Sequence, residues 1–170
     1  VTIRADKKSM DKIAVKNDKN LLVIKADQTI SGERVLEAHV TYSHIDRIVA
    51  YGATKIEKYD MDHSNTLEIL ASGASEVKAR VNVDSLKIRS VQAANVQLAG
   101  NTDIMDLSIS GMGDVVAYNL TSKKCLATVN RIGSEYKGIL RLNVTDSLFV
   151  DKIGSDLIRN RGAAHIVRKN

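Results

Sequence analysis

The chain has 170 residues and a mass of 18.6 kDa, enough for one domain with a real core at about 100 to 200 residues per domain. It contains no Pro, no Trp and one Phe, while 17 Val, 16 Ile and 9 Thr make about a quarter of it β-branched. Branching at Cβ costs rotamer freedom on a helix and packs well on a pleated surface, so strands are expected. A net charge of +5 raises the question of nucleic acid. The basic pairs Lys7-Lys8, Lys123-Lys124 and Arg168-Lys169 are separate, however, and no aromatic is interleaved for base stacking, which reads against a nucleic-acid partner. No apolar run approaches the roughly 18 residues of a membrane helix. Cys125 stands alone, which excludes an internal disulfide and a thiolate zinc site and suits a small buried apolar residue.

Residues 1–40 are the less regular part. Leu21-Leu22-Val23-Ile24 and Val35-Leu36-Glu37-Ala38-His39-Val40 read as strands around a Ser31-Gly32-Glu33 turn, and together form a cap over the first repeating unit. The first residue is Val1 rather than Met, which leaves room for a removed leader and by itself says nothing about secretion.

Residues 41–170 repeat. Tyr51-Gly52-Ala53-Thr54-Lys55-Ile56, Ser72-Gly73-Ala74-Ser75-Glu76-Val77, Gln92-Ala93-Ala94-Asn95-Val96 and Ser110-Gly111-Met112-Gly113-Asp114-Val115 share a small, small, polar, apolar pattern. So do Ile132-Gly133-Ser134-Glu135-Tyr136 and Ile153-Gly154-Ser155-Asp156-Leu157. The final residues fall at 56, 77, 96, 115, 136 and 157, a spacing of 19 to 21. Before each anchor from Val77 onward runs a period-2 alternation: Leu67 and Ile69, Leu86 and Ile88, Leu107 and Ile109, Leu126 and Thr128, Leu148 and Val150. Others come after the anchor, at Val77-Ala79-Val81-Val83 and Gly138-Leu140-Leu142-Val144. Period 2 means strands with one buried face.

The glycines of these turns accept positive φ without a Cβ penalty. A second corner recurs at Asn82, Asn101, Asn119 and Asn143, where stacked Asn side chains can form a ladder. A 20-residue unit of strands cannot bury its own apolar face, so neighbours must stack. The expected fold is all-β: a parallel β-helix, or β-solenoid, of about six coils. An antiparallel sandwich is the alternative, but it gives no reason for a 19 to 21-residue period.

On Ala71-Ser72-Gly73-Ala74-Ser75, Ser110-Gly111-Met112-Gly113-Asp114-Val115 and Ile153-Gly154-Ser155-Asp156-Leu157, the chain resembles the head domain of putative auto-transporter adhesins, over about residues 20–168. This family is common in Bacteroides-like bacteria and repeats a Gly-Ser-Gly-Asp-apolar turn. The resemblance implies a right-handed parallel β-helix similar in shape to pectin lyases, export, an adhesive role and no catalytic residues. The motif is degenerate here: Met112 replaces its Ser, the second Gly is missing after Ser155, and Gln92-Ala93-Ala94-Asn95 has no Gly. A repeated ligand-binding turn is thereby put in doubt, while the fold is not.

Chemistry-bearing groups are few. Glu76, Asp114, Glu135 and Asp156, with Asn95 between, are expected at one corner of successive coils, where they either cap turns or hold a cation. His39, His44, His63 and His165 lack metal-ligand spacing, and no Gly-x-Ser-x-Gly elbow or phosphate loop is present. Asn119-Leu120-Thr121 and Asn143-Val144-Thr145 match the glycosylation sequon but also fit the Asn corner. Tyr51 and Tyr136 flank the repeated turn and offer a platform for sugar. The expectation is a non-catalytic, exported surface domain with an adhesion or scaffold role, needing no cofactor or metal. Its partner would be a protein or a glycan, and a flat flank leaves room for homo-oligomers. The location would be the cell surface, outer membrane or periplasm. The alternative is a polysaccharide-binding or lyase-like β-helix, which would need clustered carboxylates beside a basic residue.

Overall fold

The computed structural model describes residues 1–27, 36–61, 63–130, 139–153 and 157–168. The chain forms two compact units, Val1–Ser43 and His44–Asn170.

In the first unit β1 (Thr2–Arg4) pairs antiparallel with β4 (Glu37–His39), and β2 (Ile13–Asp18) forms a hairpin with β3 (Leu21–Ala26). A one-turn helix, α1 (Lys7–Met10), lies between β1 and β2. Asp6 caps it: its Oδ1 accepts from the amides of Lys8 and Ser9, each at 2.9 Å, which satisfies two orphan donors of the helix start. The two expected strands exist, but each pairs with an upstream strand that its short, mixed sequence did not announce. The Ser31-Gly32-Glu33 turn lies outside the described residues.

The second unit is a β-solenoid of about six turns. It comprises β5 (Arg47–Ala50), β6 (Lys55–Lys58), β7 (His63–Gly73), β8 (Glu76–Gln92), β9 (Asn95–Gly111), β10 (Val115–Asn130), β11 (Ile139–Leu142), β12 (Val144–Ile153), β13 (Leu157–Asn160) and β14 (Ile166–Arg168). Every strand pair in it is parallel. β8 and β9 pair with an unbroken offset of 19 residues, from Glu76↔Asn95 to Gln92↔Gly111. A coil has two flanks. In β8 one runs from Glu76 to Val83 and the other from Leu86 to Gln92, and the burial alternation breaks between them at Asp84-Ser85.

The core is a set of like-on-like columns. Ile56, Val77, Val96 and Val115 are in register, as the spacing predicted. The next rung is Leu140, 25 residues on, followed by Ile158. The expected anchors Tyr136 and Leu157 are therefore not the rungs: Tyr136 lies outside the described residues, and Leu157 stands one place before Ile158. On the other flank Leu67, Leu86, Met105, Cys125 and Leu148 form one column, and Ile48, Ile69, Ile88, Leu107, Ala127 and Val150 the next. All the residues of these last two columns are buried. Stacking at about 4.8 Å leaves room for Val, Ile and Leu, and the single Phe, Phe149, is half exposed on the outside at 51%.

Two local features depart from expectation. In β10 the pairing shifts between Val116 and Asn119, so Leu126 pairs with Asp106 and faces outward, while Cys125, Ala127 and Val129 face the core. The expected inward pair Leu126 and Thr128 is thus reversed, as a one-residue slip requires. The same shift sets Asn119 opposite Ala99 and puts Thr121 on the Asn corner, whose rungs are Asn82, Asn101, Thr121 and Asn143. Asn143 Nδ2 donates to Thr121 Oγ1 at 3.2 Å.

The turn glycines serve two needs. Gly73 and Gly111 have positive φ, 81° and 122°, and the residue between them on the stack, Gln92, also has φ 63°. Gly113 answers to close approach instead: a Cβ there would lie 1.7 Å from the Ala94 carbonyl oxygen.

Candidate functional site

Alternation turns every second side chain of a coil outward, and parallel register stacks these into columns of like position. On the flank that begins at Glu76, the corner column runs Lys55, Glu76, Asn95, Asp114 and Ile139. The acids are therefore not contiguous. Glu76 pairs with Lys78 at 2.9 Å. Asn95 Oδ1 accepts from the Asp114 amide at 2.9 Å, and Asp114 Oδ1 accepts from the Ile139 amide at 3.1 Å. These side chains cap the backbone of the next coil, the turn-capping option for this corner. Glu135 and Asp156 lie outside the described residues, and Ile139 occupies the rung above Asp114. Among the described residues no group of three or more His, Cys, Asp or Glu is arranged to hold a metal ion.

The histidines are dispersed on the surface. His39 lies 3.8 Å from Glu37, His44 is 2.5 Å from Asp46, His63 is 3.7 Å from Asp84, and His165 is exposed. Tyr51 is 63% exposed, so it is available to a ligand, but its partner in the expected sugar platform, Tyr136, lies outside the described residues. Cys125 is buried in its core column, and burial pushes its thiol up to about 12, so it is neither ligand nor nucleophile at neutral pH.

Two outward surfaces stand out that residue-by-residue reading of the sequence missed. The first follows Arg47, Glu68, Lys87, Asp106, Leu126, Phe149 and Val167, successive rungs of one column. Its lower part alternates in charge, and Arg47 Nε lies 3.2 Å from Glu68 Oε2. Its upper part is apolar, with Leu126, Phe149 and Val167 exposed by 51, 51 and 52%. Where the two parts meet, Lys87, Arg89, Asp106, Ser108 and Thr128 line a shallow depression of about 280 Å³. The second surface, on the other flank, is the outward column Lys78, Gln97, Val116, Arg141 and Arg159. Beside it the Arg161 guanidinium carbon stands 5.9 Å from the centre of the Tyr118 ring. Both surfaces become visible in the sequence only once the offsets between successive rungs, which range from 18 to 25 residues, are known.

A stack of parallel coils that turns side-chain-studded flanks outward around a mainly apolar core defines a β-solenoid. The chain belongs to the family described as putative auto-transporter adhesin, head GIN domain, whose model matches residues 1–162. The match begins at the first residue and so takes in the N-terminal unit, which lacks the repeated turn that carried the resemblance. Among solved structures, a putative adhesin from Bacteroides fragilis NCTC 9343 superposes with a TM-score of 0.72 at 18% identity, covering 94% of this chain and 77% of that one. A putative lipid binding protein from Parabacteroides distasonis ATCC 8503 gives a TM-score of 0.48 at 14% identity, covering 99% and 83%. No curated protein matches the chain.

Proposed function

We propose that this chain is a non-catalytic, exported binding domain that holds a protein partner at the bacterial surface through the apolar end of its charged-to-apolar column. The observation that carries this reading is the exposure of Leu126, Phe149 and Val167 on three consecutive rungs. Scattered exposed apolar residues are ordinary, but a contiguous row on a rigid sheet is how contact surfaces look. Membership of an adhesin family supports the same reading. Against a lyase-like role stands the use of the corner carboxylates: Asp114 caps the Ile139 amide and Glu76 is paired with Lys78.

The test is adhesion of beads coated with the domain to intact bacteria and to immobilised extracellular-matrix protein. Wild-type beads are expected to adhere, and beads carrying Leu126→Asp with Phe149→Asp to lose most of that adhesion while the domain melts at an unchanged temperature. Equal adhesion by the double variant, or none by the wild type, overturns the reading, as does turnover of a polysaccharide by the wild type.

A further inference from the structure

The upper part of the opposite flank sets two cations side by side on neighbouring strands. Several outward cations of the solenoid have an acidic neighbour: Arg47 with Glu68 at 3.2 Å, Lys55 with Glu57 at 2.7 Å, Lys78, at the foot of this column, with Glu76 at 2.9 Å, and Lys123 with Asp103 at 2.7 Å. Arg141 and Arg159 instead sit directly opposite one another on the neighbouring parallel strands β11 and β13, and neither has an ion pair with any described acid. The rungs below Arg141 in the same column, Val116 and Gln97, are uncharged. Like charges in direct cross-strand register are destabilising, so the fold carries a local electrostatic cost here that an anion would relieve.

A third guanidinium joins them. Arg161 lies two residues beyond Arg159, just past the end of β13, and its guanidinium carbon stands 5.9 Å from the centre of the Tyr118 ring. A cation over an aromatic face is attracted by the ring quadrupole, which limits the freedom of an otherwise exposed side chain and lowers the entropy lost on binding. Arg141 is half-buried, and Arg159 and Arg161 are exposed, so all three can reach solvent.

We infer that Arg141, Arg159 and Arg161, with Tyr118 positioning the last, form a binding surface for a carboxylate-bearing polysaccharide. The planar guanidinium matches a carboxylate with two parallel hydrogen bonds, and two of them at the interstrand spacing of about 4.8 Å present successive forks to an extended chain with recurring carboxylates. A single-stranded nucleic acid is served less well, because it requires open aromatic faces for its bases and the Tyr118 ring is already covered by Arg161. A membrane surface is served less well too, since the column offers half-buried Val116 rather than projecting apolar side chains beside its cations. The surface shares no residue with the apolar row of Leu126, Phe149 and Val167, so the two stand or fall separately.

The experiment is affinity electrophoresis and titration calorimetry of the full chain with alginate, a uronate polymer, at low and at physiological salt. Dextran, single-stranded DNA and phosphatidylserine vesicles serve as comparisons. Alginate is expected to retard the wild type, more weakly as salt rises, and dextran to leave it unmoved. Arg141→Gln with Arg159→Gln should weaken alginate binding at least tenfold, and Tyr118→Ala by a smaller factor through release of Arg161. Arg141→Lys with Arg159→Lys should restore only part of the affinity, because the ammonium keeps the charge and loses the fork. The Gln double variant removes a repulsion, so its melting temperature should match or exceed that of the wild type. Leu126→Asp with Phe149→Asp should bind alginate unchanged. No retardation at low salt, equal binding by the Gln double variant, or tighter binding to DNA or to vesicles than to alginate overturns the proposal.

Discussion

At the residue scale the buried thiol of Cys125 couples folding to pH. It stands between Met105 and Leu148 in a column closed to water, and burial raises its pKa from 9.0 to about 12, with the nearby Asp106 carboxylate adding to the rise. A thiol that ionises less readily in the folded than in the unfolded chain favours folding fully below the unfolded pKa. That contribution falls away as pH climbs toward the folded value. Stability in urea should therefore decline above pH 9, by up to about 1.4 kcal/mol per pH unit from this group. The decline should be smaller in Cys125→Val than in the wild type. Urea midpoints for both chains between pH 7 and 10.5 measure it, and parallel pH profiles would show the thiol to be uninvolved. The same burial predicts slow alkylation of the folded chain at pH 8 and rapid alkylation in denaturant.

At the element scale the turns decide register, and two of their residues should respond in opposite directions. A Cβ at Gly113 would meet the Ala94 carbonyl oxygen at 1.7 Å, backbone against backbone, so Gly113→Ala must push adjacent coils apart. It should cost about 3 kcal/mol, the upper end of the range for overpacking. Gln92 occupies a left-handed position that glycine fills one coil below and one coil above. Relief of its strain, about 1 to 2 kcal/mol, outweighs the extra unfolded-state freedom of glycine, about 0.5 to 1 kcal/mol. Gln92→Gly should therefore gain about 0.5 kcal/mol. Urea melts of the two variants read both signs, and a stabilised Gly113→Ala or a destabilised Gln92→Gly would contradict the account.

These turns also show what the sequence disclosed. Small residues must recur wherever backbone crosses backbone, so the period from Ile56 to Val115 was legible, and with it the parallel stack. It failed past Asn130, because the chain from Val115 to Leu140 is four residues longer than the longest earlier turn-to-turn spacing. Counting from Ile132-Gly133-Ser134-Glu135 then lands on Tyr136 instead of Leu140. The slip in β10 was illegible for a related reason: an apolar residue at position 126 looks like core until its partner is known to be the outward Asp106. Both candidate surfaces run across those shifts, so strand positions could be read locally but the columns that define the surfaces could not.

At the scale of the whole solenoid each coil pairs its strands with those of its neighbours, so stability should be distributed as in a one-dimensional array rather than as in a globular core. Leu107 is fully buried and pairs with Ile88 on one side and Ala127 on the other. Ile166 is half-buried, and among the described strands its own pairs with β12 alone. Truncating each to Ala removes a comparable side chain but unequal support. Leu107→Ala should cost about 3 kcal/mol, within the range for a buried leucine, and Ile166→Ala about 1 kcal/mol. Amide exchange should show the matching gradient, slowest in β8, β9 and the first part of β10 and fastest in β14, because an end coil opens by breaking one interface and a central coil by breaking two. Nearest-neighbour coupling also sets how far a defect spreads. Leu107→Ala should speed exchange in β8 and β10 as well as β9, whereas Ile166→Ala should leave β8 unchanged. Hydrogen exchange resolved by peptide in the three chains tests this directly, and uniform protection along the stack, or equal costs for the two substitutions, would mean that the coils unfold as one undivided core.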